Sequence, residues 1–354
     1  MLKVQVPSGK REISNLSVSS INGSIIRRKG DKMGFDLYTK IEGIEKDVSR
    51  ILLGTGFLPD VDDYDAWLTG ILDTGVNAID TARVYPDSEK TIGKWLEKTG
   101  VRDKVVILSK CGHPDGSVKR VNRRAMLADL DKSLEELRTD YIDIYILHRD
   151  DPSVEVAEVI ETFNEMKARG KIGLFGGSNW TYRRIEEANE YAYKKGLEPF
   201  SVSSPSFGLA DQLGVVWDDT CVTISGKAGE EARKWYAQNQ MPVVAYSSLG
   251  RGLFSGRLKS TDADNAEQYL DMFAMRGYAF PDNFERLRRC EILAKEKEVS
   301  VPQLAMSWIF HQKMNMFAVV STSSPVRMQE NIKALAIDLS EKETDYLNLV
   351  SDLY

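Results

Sequence analysis

Four residues carry side chains able to move a proton beside a carbon that is changing oxidation state: Asp80, Tyr85, Lys110 and His148. Asp80 sits at the end of "NAIDT" (77–81), and Tyr85 follows five positions later. Lys110 closes "VVILSK" (105–110), and His148 closes "YIDIYILH" (141–148). A phenol is a weak acid with a reference pKa near 10. A nearby ammonium favours the phenolate and makes the hydroxyl a better proton donor. A carboxylate paired with the lysine keeps it charged and aimed, and an imidazole can donate to a carbonyl oxygen or relay a proton. Such a group suits protonation of a developing alkoxide while hydride arrives at the carbon. Taken singly, each residue has a plainer explanation: a turn cap for Asp80, solvation for Lys110, loop packing for Tyr85 and a satisfied buried ring for His148. Their shared place at the ends of apolar runs is what links them.

Those runs define the scaffold. From about residue 50, short β-like stretches alternate with amphipathic helical ones. The strand candidates are 50–55, 77–81, 105–110, 141–148, 172–179, 200–204, 241–249 and 317–323. They are nearly continuously apolar, as strands covered on both faces must be. Between them, Leu127, Leu130, Leu134 and Leu137 share a helical face, as do Val156, Val159, Ile160, Phe163 and Met166. "SVPQ" (300–303) has the form of a capping box. Eight alternations predict a (β/α)8 TIM barrel over residues 49–336, with its site at the C-terminal face. Residues 1–48 read as an arm or hairpin capping the barrel, and 337–354 as a C-terminal helix or tail. Residues 206–228 and 250–282 read as long loops on the site's side. There is no G-x-G-x-x-G and no P-loop. In "GRGLFSG" (250–256), Ser255 stands where the third glycine belongs, which argues against a Rossmann fold.

Composition narrows the function classes. A net charge of −6 without a long charged run argues against nucleic-acid binding. The densest basic cluster, "KRVNRR" (119–124), reads as a solvated loop and helix start. Cys111, Cys221 and Cys290 are too few and too scattered for a disulfide framework, so a reducing, cytoplasmic location is expected. No apolar run is long enough to span a bilayer. His113, His148 and His311 are dispersed and no H-E-x-x-H exists, so no metal is expected.

The chain resembles the aldo-keto reductases, NADPH-dependent (β/α)8 carbonyl reductases. "NAIDTARVYPDSEKTIG" is similar to their Asp and Tyr segment, "VVILSKCG" to their lysine strand, "DIYILHRDDP" to their histidine strand and "GKIGLFGGSNW" to their Gly-x-Ser-Asn segment. The resemblance implies a catalytic tetrad of Asp80, Tyr85, Lys110 and His148. It also implies that Ser178 and Asn179 hold a nicotinamide carboxamide. "AYSSLGRG" (245–252) places Tyr246 against the ring and Ser247 and Leu249 along the pyrophosphate, and Gly56 and Arg251 are further implied cofactor contacts. "VVSTSSPVRMQEN" (319–331) gives Ser321, Thr322, Arg327, Glu330 and Asn331 at the adenosine end. Ser324 and Pro325 read there as N-cap and first helical residue, and Arg327 is suited to a ribose 2′-phosphate.

Two departures stand out. Ser321 occupies a position where many relatives have lysine, and a glutamine expected after strand six is replaced by Ser204 or Ser206. Arg327 keeps NADP(H) the preferred cofactor, while the serine at 321 leaves NAD(H) possible. Phe57, His113 and Trp180 are candidate substrate contacts. The implied function is reversible reduction of a small aldehyde, ketone or keto-sugar. The alternatives are a redox-sensing module with slow turnover, or oxidation of a sugar or polyol. Oligomeric state stays open.

Overall fold

The computed structural model describes residues 34–217 and 220–354. The part of the N-terminal arm before residue 34 lies outside the described residues. A short antiparallel hairpin comes first, β1 (Tyr38–Thr39) with β2 (Val48–Ser49). Eight parallel strands follow: β3 (Ile51–Gly54), β4 (Ala78–Asp80), β5 (Val106–Cys111), β6 (Ile142–Leu147), β7 (Ile172–Ser178), β8 (Val202–Ser204), β9 (Val243–Ala245) and β10 (Met316–Val320). They close into a barrel, because β10 pairs with β9 on one side and with β3 on the other. The outer layer comprises α1 (Tyr64–Asp73), α2 (Ser88–Thr99), α3 (Arg123–Leu137), α4 (Val156–Ala168), α5 (Tyr182–Lys195) and α6 (Glu230–Asn239). It continues with α7 (Met272–Tyr278), α8 (Pro281–Glu296), α9 (Val301–Phe310), α10 (Pro325–Ile332) and α11 (Glu341–Leu347).

Both faces of each strand are covered, which explains the continuous apolar runs. Leu52, Ala78, Val106, Leu108, Ile144, Ile146, Leu174, Val202, Val244 and Phe317 fill the barrel's interior. Ile41, Ile44 and Val48 join the same cluster from the hairpin region. Ile51, Leu53, Ile79, Ile107, Leu147, Phe175 and Val243 face outward into the helix layer. The hairpin region therefore plugs the N-terminal end of the barrel. Lys46 ties it there, bonding the buried Asp143 carboxylate at 2.6 Å, and Arg102 reaches the same carboxylate at 2.9 Å.

The capping box at Ser300 and Gln303 forms as expected. In the basic stretch 119–124, Lys119 pairs with Asp151, Arg120 with Asp129 and Arg123 with Glu165, while Asn122 caps α3. Two expectations need correction. The strand expected over 241–249 stops at Ala245, because Ser247 adopts the left-handed conformation at φ 56° and extended pairing cannot continue through it. The segment 250–282 is not one loop: it holds 3₁₀ turns and α7, and α8 begins at Pro281.

Gly93 shows how tightly α2 meets α3. A Cβ there would lie 2.0 Å from the Glu136 carbonyl oxygen and 2.7 Å from the Leu137 carbonyl carbon. Backbone cannot yield as a side chain does, so Gly93→Ala should force the two helices apart. The expected cost is about 1–3 kcal/mol of overpacking strain, read as a lower denaturant midpoint at unchanged slope.

Candidate active site

Alternation along the strands decides which side chains reach the open end. On the inner face, Ala78 is followed two residues later by Asp80, Leu108 by Lys110, Ile146 by His148, Val202 by Ser204 and Val244 by Tyr246. The apolar interior thus ends in a polar layer at the C-terminal rim.

The Lys110 Nζ donates to Asp80 Oδ2 at 2.7 Å and to the Thr81 carbonyl at 2.8 Å, all buried. The same ammonium stands 5.2 Å from the centre of the Tyr85 ring, close enough for its charge to act on the phenol. Tyr85 meets His148 edge to face at 5.5 Å, and His113 meets the other side of His148 at 4.9 Å. The structure therefore brings Asp80, Tyr85, Lys110 and His148 together, with His113 beside them.

Their electrostatics differ in one respect from the expectation based on the lysine alone. Burial pushes the Tyr85 phenol above its ordinary value; Lys110 and Arg149 pull it back, and Asp80 pushes it up. Tyr85 therefore remains protonated at neutral pH. Burial works to lower Lys110, but Asp80 and Tyr85 outweigh it and hold the ammonium charged. Burial, then the charges of Lys110, Arg149 and His113, hold His148 well below 6.5 as a neutral ring.

The expected cofactor residues fall into two groups. Around the rim, Ser178 Oγ donates to the Ser204 carbonyl at 2.8 Å. Asn179, left-handed at φ 61°, donates from its amide to the His148 carbonyl at 3.1 Å. Its Oδ1 accepts from the Tyr246 hydroxyl at 2.7 Å and from the Val222 amide at 3.0 Å. The phenol of Tyr246 is thereby anchored and its ring orientation fixed. Gly56 lies against the Tyr85 ring, where a Cβ would stand 3.4 Å away. Of the two serines expected in the glutamine's place after strand six, Ser204 faces inward, because Ser203 turns outward to Tyr236, and Ser206 Oγ lies 3.2 Å from the Tyr278 hydroxyl. Ser204 Oγ and His148 Nδ1 are both buried with no hydrogen-bond partner in the protein. Such orphaned groups on a polar inner rim fit a ligand that offers an amide and a carbonyl oxygen.

The second group follows β10. Ser321 Oγ donates to the Gly54 carbonyl at 3.0 Å, and the Thr322 carbonyl accepts from Trp67. Ser324 caps α10 by accepting from the Arg327 amide, leaving the Arg327 side chain exposed. Glu330 pairs with Lys333 and Gln303, and Asn331 is half-buried on the same helix.

Two residues sit otherwise than expected. Trp180 is fully buried: it packs on Phe200 in the outer core and donates to the Arg149 carbonyl, so it presents no surface to a substrate. Arg251 pairs with Asp271 at 2.6 Å and lies over Trp217, Phe273 and Phe57, so its guanidinium is engaged by protein. Phe57 is 68 % exposed and stacks on Trp217 at the rim. Leu249 and Ser247 are half-buried in the same turn.

Sequence reasoning passed over Arg149. It is 6 % exposed, donates to the His148 carbonyl at 3.0 Å, and its charge bears on Tyr85, His148 and Tyr246. Its place directly after an inward-facing histidine was the available signal. Among the described residues, no group of three or more His, Cys, Asp or Glu is arranged to hold a metal ion, and no helix is long and apolar enough to cross a membrane.

Residues 50–352 match the Aldo/keto reductase family, further along the chain than residue 336, where the sequence resemblance was placed. The chain belongs to the aldo/keto reductase family. It is an NAD(P)H-dependent oxidoreductase. It is 25% identical to the aldo-keto reductase YhdN of Bacillus subtilis, over 88% of this chain and 93% of that protein. It is 26% identical to the norsolorinic acid reductase of Aspergillus flavus (84% and 76% covered) and 26% identical to the aryl-alcohol dehydrogenase GME11368 of Pestalotiopsis microspora (77% and 68%).

The neutral state of His148 has a measurable consequence in this reductase. Between its depressed folded pKa and the ordinary 6.5, the unfolded chain binds a proton that the folded chain refuses. Stability should thus fall as pH drops below about 6.5, by at most about 1.4 kcal/mol per pH unit from this residue. Denaturant curves between pH 5 and 7 should show that slope flattened in His148→Gln, and NMR of the wild-type ring should report neutral imidazole at pH 6.

Proposed function

We propose that this aldo/keto reductase reduces the carbonyl of a small aldehyde or ketone, with NADPH as hydride donor and Tyr85 as proton donor. The observation that carries the reading is one buried ammonium that bonds Asp80 and lies 5.2 Å from the centre of the Tyr85 ring. A phenol that donates its proton becomes a phenolate, and Lys110 stands where that charge would develop. His148, kept neutral, orients the carbonyl oxygen towards the phenol. Ser178, Asn179, Ser204 and Tyr246 would hold the nicotinamide end of the cofactor, and Arg327 at the start of α10 the ribose 2′-phosphate.

An aromatic aldehyde is the substrate class to test first. Phe57, Trp217 and Phe273 form an aromatic rim at the open end of the barrel, and one relative is named for aryl alcohols. A keto-sugar would find fewer polar partners on that rim.

Tyr85→Phe should reduce kcat by about 10²–10⁴, the usual worth of a positioned acid, with NADPH affinity nearly unchanged. Equal turnover in the mutant would remove Tyr85 from the role. Arg327→Ala should weaken NADPH far more than NADH in fluorescence titrations, and an equal loss for both would refute the 2′-phosphate contact. Tight dinucleotide binding without turnover on any carbonyl of a broad panel would favour the redox-sensing alternative.

A further inference from the structure

Just behind the rim, three hydroxyls form an unbroken buried chain. Thr81 Oγ1 and Ser88 Oγ lie 2.8 Å apart, Ser88 Oγ donates to Thr55 Oγ1 at 2.7 Å, and Thr55 Oγ1 donates to the Asp80 carbonyl at 2.9 Å. A hydroxyl has one proton to give. With Thr55 donating to Asp80 and Ser88 to Thr55, Thr81 is the donor to Ser88. All three residues are at most 1 % exposed, so a broken link has no water at hand to replace it.

What the chain connects matters more than its length. Thr55 follows β3, Asp80 ends β4 and Thr81 follows it, and Ser88 opens α2. One end of the chain bonds the Asp80 backbone, whose side chain holds the Lys110 ammonium. The other end is the side chain of Thr81, whose carbonyl holds the same ammonium. In the middle, the Ser88 amide donates to the Tyr85 carbonyl at 3.3 Å. One buried serine thus touches the segments that place the carboxylate, the second acceptor of the ammonium, and the phenol. The plainer reading is that these hydroxyls merely satisfy one another. That reading predicts a change in stability and none in chemistry.

We infer that Ser88 is a positioning residue that sets the approach of the Lys110 ammonium to the Tyr85 hydroxyl, an inference resting on Tyr85 being the proton donor. Ser88→Ala removes the central link and leaves Thr81 without its acceptor. A displacement on the order of 1 Å in a reacting geometry can cost about 10²-fold, so kcat should fall about 10–10²-fold. KM and the NADPH dissociation constant should stay within about twofold, because no ligand contact is lost. The pH profile should move as well. Lys110 pulls the phenol's pKa down, so a retreating ammonium lets it rise, and the fall of kcat at high pH should occur at higher pH than in wild type. Thr55→Val, nearly isosteric, removes a different link and should shift both readouts in the same direction, which keeps the test open if Ser88→Ala folds poorly. In a Tyr85→Phe background, Ser88→Ala should leave the residual rate unchanged. Loss of thermal stability with kcat and pH profile intact overturns the inference, as does a rise in KM alone. A fully active Tyr85→Phe overturns the reading of the phenol and this inference with it. An inert Tyr85→Phe beside an unaffected Ser88→Ala overturns only the role of Ser88.

Discussion

The Lys110 ammonium is 4 % exposed, directly above a barrel interior that is apolar. A charge so placed is tolerated only with an opposite charge and further hydrogen-bond acceptors around it. Asp80 and the Thr81 carbonyl meet that demand, both from the end of one neighbouring strand. Removing one partner of such a pair typically costs about 3–5 kcal/mol, because the other is left buried and uncompensated. The register between β4 and β5 therefore cannot drift without stranding the ammonium. The cation is as fixed as the backbone, and a fixed cation is what gives the phenol beside it a defined chemistry.

The barrel explains why this polar cluster lies at one end only. Inward-facing positions alternate along each strand, and the lower ones are aliphatic and sealed by Ile41, Ile44 and Val48. The uppermost inward position is the one from which a side chain can reach a ligand while its stem stays packed. Asp80, Lys110, His148, Ser204 and Tyr246 occupy it on five strands. At the opposite end the buried Asp143 is neutralised by Lys46 and Arg102, so there the polar group serves closure of the fold.

This division made much of the molecule legible in the sequence. Strands covered on both faces leave continuous apolar runs, and a charged or hydroxyl residue terminating such a run marks the rim. What stayed illegible depends on direction or on distance along the chain. Ser247 ends its strand by a left-handed turn, which no composition signals in a serine. Trp180 follows the rim residue Asn179, yet it turns outward beneath α5, where Phe200 packs against it. Asn179 was expected to hold a carboxamide. Its side chain also ties His148, Tyr246 and Val222 together, three partners remote in sequence that no motif announces. Arg149 reads as a solvated charge until its burial is seen. The Thr55–Ser88 hydrogen bond spans 33 residues, and two common hydroxyls at that separation carry no pattern.

The electrostatics also separate two neutral donors that sequence alone treats alike. At neutral pH the depressed pKa of His148 and the raised pKa of Tyr85 leave both rings uncharged. A neutral imidazole that surrendered its N–H proton would become an imidazolate, far less stable than a phenolate. A protonated imidazole is disfavoured beside Lys110 and Arg149. Tyr85, by contrast, leaves behind an anion that faces an ammonium already in place. Burial and the neighbouring cations keep His148 from charging, and in the proposed reading the same Lys110 would stabilise the phenolate that Tyr85 leaves behind. In that reading His148 would offer a neutral, directional hydrogen bond, and its Nδ1 is buried without a protein partner.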